Sequence, residues 1–172
     1  MLTKNMIWGR IQGMKRFVFW MRLTLVVLML LFIWGNSMLP GNMSNMESGF
    51  VLRLIRPVVS ALQRLMAALG NSCSQEYLVR KLAHFGEFMV LGVLMVILFL
   101  REDGHCRFLL PAALCLAVAL VDEGIQILSQ NRGPSLKDVS LDFCGACAGL
   151  LLTAAVLAVV RQIVLRRRRT SQ

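Results

Sequence analysis

Residues 80–88 read RKLAHFGEF, and MVLGVLMVILFL follows at 89–100, so Arg80, Lys81, His84 and Glu87 stand at the head of twelve residues without a charge. A bilayer core about 30 Å thick takes about 20 apolar residues as a helix, and this stretch predicts a membrane helix over about 82–100. Ionisable groups at its mouth are expensive unless paired or wetted, and by default they mark a site whose partners lie elsewhere in the chain.

Three further stretches, about 17–36, 108–129 and 141–164, have the same apolar character. The 172 residues are 57% hydrophobic and 16% charged, with a mean hydropathy of +0.66, which excludes an ordinary soluble domain. The sequence therefore predicts an all-α integral membrane protein. One domain, residues 1–172, forms a four-helix bundle with an additional amphipathic helix on its outer surface.

The net charge of +10 does not predict nucleic-acid binding, because the cations are not interleaved with exposed aromatics. Their placement reads as topology instead. Eleven lysines and arginines precede the first span, separate the second from the third, or follow the fourth; seven lie in the remaining loops, spread over more chain. The positive-inside rule then puts both termini in the cytoplasm of a multi-pass cell-membrane protein, with 161–172 as a basic tail. Arg22, near the inner end of the first span, is expected to snorkel. That span has a basic lead-in but no small-residue cleavage site after it, and is read as a retained anchor.

After the first span, NSMLPGNMSNMES (36–48) predicts a helix break and a loop. In Phe50–Leu69, Arg53, Arg56, Ser60, Gln63 and Arg64 recur at spacings of three and four. One polar stripe on an otherwise apolar helix predicts a helix lying in the interface, kinked at Pro57. Ser74 and Ser135 are expected to cap the helices that follow them. Disulfides are not expected among the five cysteines, and Cys144 and Cys147, in an Ala/Gly-rich helix, read as packing residues.

The chemistry concentrates in three clusters. Lys81, His84 and Glu87 share one helical stripe, as do Arg80, His84 and Glu87. Asp122 and Gln126, one turn apart beside Glu123, end the third span. Arg132 follows, and Asp138 and Asp142 open the fourth span, where a helix N-terminus favours anions. With the predicted topology, all three clusters lie in the outer half of the bilayer and are expected to meet. Gly145 and Gly149 form a G-x-x-x-G that permits close helix approach. A polar network that only fixes helix register is the bland alternative for so many charges.

RKLAHFGEF, VDEGIQ (121–126) and NRGPSLKDVSLDFCGACAG (131–149), preceded by SMLPGNMSNMES (37–48), together resemble the VanZ-like membrane protein family. The family often carries Asn where this chain has Asp142 and Tyr where it has Phe88. It is named after a protein that gives low-level resistance to the glycopeptide teicoplanin, so the resemblance implies a link to the cell envelope without supplying a reaction.

The expected function is a pocket in the outer leaflet for an anionic lipid or lipid-linked cell-wall precursor head group. Arg80, Lys81 and Arg132 would meet phosphate or carboxylate, with Asp122, Glu123, Asp138 and Asp142 orienting them; antibiotic susceptibility is the expected phenotype. The rival is a membrane-embedded enzyme acting on a lipid-linked substrate, with His84, Glu87 and the carboxylates as ligands of a divalent ion. A single histidine in this set makes that signal weak. A transporter is disfavoured because the polar groups stop halfway across.

Overall fold

Helix α1 (Leu2–Met38) is followed by α2 (Ser48–Ala68), α3 (Gln75–Phe99), α4 (Leu109–Gln130) and α5 (Leu136–Thr170). The computed structural model describes residues 2–38, 48–68, 70, 74–101, 107–130 and 135–170, with side chains except at 2–11, 48–55, 76, 128–130 and 168–170. Arg132 and the 39–47 part of the expected loop lie outside the described residues, and of Arg53 only the backbone, within α2, is described. No strand occurs among those described. Four helices are long and apolar enough to cross a membrane, over Gln12–Met38, Tyr77–Phe99, Leu109–Ile127 and Leu136–Arg167.

The helices run longer than composition suggested. Asn36 and Ser37 continue α1, and the basic tail continues α5 through Thr170. At 1.5 Å per residue, the 37 residues of α1 and 35 of α5 span roughly 52–55 Å, against a hydrocarbon core of about 30 Å. α2 passes Pro57 as one helix: the helix does not break there, although the proline removes one i→i−4 bond.

Local chemistry sets two starts. Ser74 Oγ accepts from the Tyr77 N–H at 3.2 Å and caps α3. The Ser135 carbonyl accepts from the Asp138 N–H at 3.0 Å, with its hydroxyl at 3.4 Å from the same donor. At the other end of α3, Arg22 reaches across from α1 and donates to the Leu100 carbonyl at 3.4 Å. A guanidinium at a helix C-terminus complements the dipole.

α3 and α4 form the middle of the bundle, each packed against both α1 and α5, and α2 rests on α3. The core runs through Val26 and Ile33 of α1, Phe88, Leu91 and Met95 of α3, Cys115 and Ala119 of α4, and Val139 and Ala146 of α5. The outside is apolar as well: Phe17, Leu31 and Leu151 are exposed by 60% or more. A surface of that kind fits lipid, where only backbone and polar groups must be satisfied internally.

The closest seam joins α3 and α5. A Cβ added at Gly145 would overlap the Phe85 carbonyl, one at Gly149 the Met89 carbonyl, and one at Gly92 the Ala146 carbonyl. Backbone meets backbone, as small residues allow between membrane helices. This seam fixes the rotation of α5 about its own axis, and so which of its polar residues face α3.

Candidate functional site at the polar end of the bundle

Successive spans alternate in direction, so the end of α1, the start of α3, the end of α4 and the start of α5 gather at one end of the bundle. Asp122 is completely buried there. Its carboxylate accepts from Ser37 Oγ of α1 at 2.6 Å and from Gln126 Nε2, one turn on, at 2.7 Å. Glu87 of α3 accepts from Asn36 Nδ2 of α1 at 2.8 Å through Oε1. Its Oε2 faces His84 Nδ1 at 3.3 Å, one turn back, without hydrogen-bond alignment. Glu123 accepts the Ser135 backbone N–H at 2.7 Å, tying the end of α4 to the cap of α5.

Asp142, buried on α5, lies within electrostatic range of His84, Asp122, Lys81 and Asp138. It joins this interior cluster to a second group at the rim. There Lys81 Nζ contacts Asp138 Oδ2 at 2.5 Å, and the ammonium stands 5.4 Å from the centroid of the Tyr77 ring. Arg80, half-buried on the same turn of α3, is also engaged with neighbours.

The residues read from the sequence thus divide. His84, Glu87, Asp122, Glu123, Gln126 and Asp142 occupy the interior of the polar end, and Lys81 with Asp138 its edge. The interior is rich in carboxylates and its one basic group among the described residues is His84. Carboxylates can accept from hydroxyl, amide or ammonium donors; cationic side chains stand at the rim. Composition places Asn36 and Ser37 at the start of a loop, yet they supply α1's whole contribution to the described network. Their signal was topological: two polar residues directly after an apolar span, at the end where the other clusters lie.

Beside the rim a half-open groove of about 440 Å³ runs between α2, α3 and α5. Lys81, Lys137, Asp138 and Tyr77 lie toward its mouth, and Leu62 and Met66 of α2 form one apolar wall. Trp34 Nε1, His84 Nδ1 and Glu87 Oε2 are buried polar atoms with no hydrogen-bond partner among the described residues. Among the described residues no three His, Cys, Asp or Glu side chains are grouped to hold an ion.

No curated protein and no solved structure matches the chain. The family model described as VanZ/LLP1 matches residues 19–158, from the first span to the middle of α5, and so takes in every polar residue of the site. The chain belongs to the VanZ/LLP1 family.

Proposed function

We propose that this membrane protein works in the cell envelope by binding an anionic lipid or a lipid-linked cell-wall precursor at the polar end of its bundle, in the outer leaflet. Lys81, Arg80 and Arg132 meet the phosphate or carboxylate of the head group, and glycopeptide susceptibility is the trait that responds. The observation that carries this is Lys81. Its side chain is only 16% exposed, at the mouth of a membrane helix, and it is held by Asp138 of a different span. A cation so placed costs several kcal/mol unless it is matched. The salt bridge matches it, orients it, and leaves two further ammonium protons for an anionic guest.

Native mass spectrometry of gently extracted protein tests the reading. An anionic lipid should be retained by the parent chain and by Lys81→Arg, and lost from Lys81→Met. In cells, Arg132→Ala should lower both abundance and the drug phenotype, whereas Arg132→Lys, lacking the planar fork, should spare abundance and lose phenotype. An unchanged lipid complement in Lys81→Met refutes the head-group role.

A further inference from the structure

The groove between α2, α3 and α5 is graded along its length. On α3, Tyr77, Lys81 and Phe85 follow one another at four-residue steps, so Phe85 lies roughly 12 Å deeper than Tyr77. On α5 the same step leads from Lys137 to Leu141. The groove therefore offers Lys137 and Asp138 at its start and Lys81 one turn in from Tyr77, two ammonium groups against one carboxylate, and continues past Leu82 to Phe85 and Leu141, with Leu62 and Met66 of α2 as its other wall. A volume of about 440 Å³ falls within the roughly 300–1,000 Å³ of small-molecule sites. A helix about 10 Å across would fill it in roughly one turn, too little for a peptide partner to grip. A free phosphate would use the mouth and leave the apolar depth idle.

We propose that this groove seats one chain of an anionic membrane phospholipid, with the phosphate at Lys81 and Lys137 and the chain running down past Leu82 and Phe85 under α2. This rests on the head-group role above and adds the place of the chain, with Lys137, Tyr77 and the α2 wall as new members of the site. Since lipid tails are as apolar as the groove, the walls contribute position rather than affinity, and the test must read position.

The full chain in phosphatidylcholine vesicles is irradiated with a trace of phosphatidic acid bearing a diazirine in one acyl chain, and the adducts are mapped by mass spectrometry. Adducts should concentrate on Leu62–Met66 and Leu82–Phe85, at least tenfold above the exposed α5 face at Leu151–Val160. Excess unlabelled phosphatidic acid should compete them away; excess phosphatidylcholine or glycerol 3-phosphate should not. Leu82→Trp and, from the opposite wall, Met66→Trp should each remove them. Adducts spread evenly over the exposed faces overturn the groove as the chain's place. If those scattered adducts still yield to phosphatidic acid and are lost with Lys81→Met, the head-group role survives. Groove adducts that phosphatidylcholine competes equally well overturn the choice of an anionic head group, and with it the proposed function.

Discussion

Replacing Gly149 by alanine adds one methyl group, and the structure gives it nowhere to go. The new Cβ overlaps the Met89 carbonyl, and the Val93 nitrogen is only 3.1 Å away. Both obstacles are backbone, so no rotamer change relieves them and α5 must draw back from α3. Overpacking of this kind costs typically 1–3 kcal/mol, and with rigid neighbours the upper end of about 3 applies. The gain in helix propensity from Gly to Ala returns about 1 kcal/mol, leaving a net loss of about 2 kcal/mol. Gly86, on the same helix as Met89, has nothing within 4 Å of its virtual Cβ, so Gly86→Ala should be neutral or stabilising by up to about 1 kcal/mol. Denaturation of the purified variants in mixed micelles, followed by circular dichroism, reads the difference of about 2–3 kcal/mol. A Gly149→Ala protein as stable as Gly86→Ala would refute the seam. Because α5 carries Asp138 and Asp142, the same variant should also loosen the Lys81–Asp138 contact and lower lipid retention.

Ser37→Ala removes one of the two described donors to a buried carboxylate and should destabilise by about 1 kcal/mol, the scale of interhelical hydrogen bonds in membranes; Thr24→Ala, whose hydroxyl only back-bonds to Trp20, serves as control in the same titration. Glu123→Leu strips the acceptor from the Ser135 N–H, so hydrogen exchange at Leu136–Val139 should quicken, while Glu123→Gln, which keeps a carbonyl oxygen, should spare it. Equal exchange in both would show that the contact does not hold the start of α5. For topology, cysteines placed at Tyr77 and Lys137 should react with an impermeant reagent in intact cells and one at Arg107 should not. The opposite pattern would move the site to the cytoplasmic leaflet.

Much of the architecture was written in one dimension. Span length against bilayer thickness predicted four membrane helices, and alternation of direction predicted which ends share a side. Ser74 and Ser135 announced two helix starts by their hydroxyls. These features are legible because they depend on sequence spacing alone: a helix rises by a fixed amount per residue, and a cap acts within one turn.

Rotation of each helix about its axis is what the sequence left open. Arg80 and Lys81 belong to equally good stripes, and nothing in their spacing says that Lys81 is the one to meet Asp138. The Gly145–Gly149 seam against Phe85 and Met89 decides it, by locking α5 at the angle that brings Asp138 and Asp142 alongside α3. In the same way, Asn36 and Ser37 became ligands of Glu87 and Asp122 only because α1 stays helical to Met38 and packs on both α3 and α4. The groove has three helices for walls, so no single stretch of sequence contains it. The sequence by itself determined that charge would collect at one end of a membrane bundle; the tertiary structure decided which charges face inward, because helix rotation is set by backbone contacts between elements far apart in the chain.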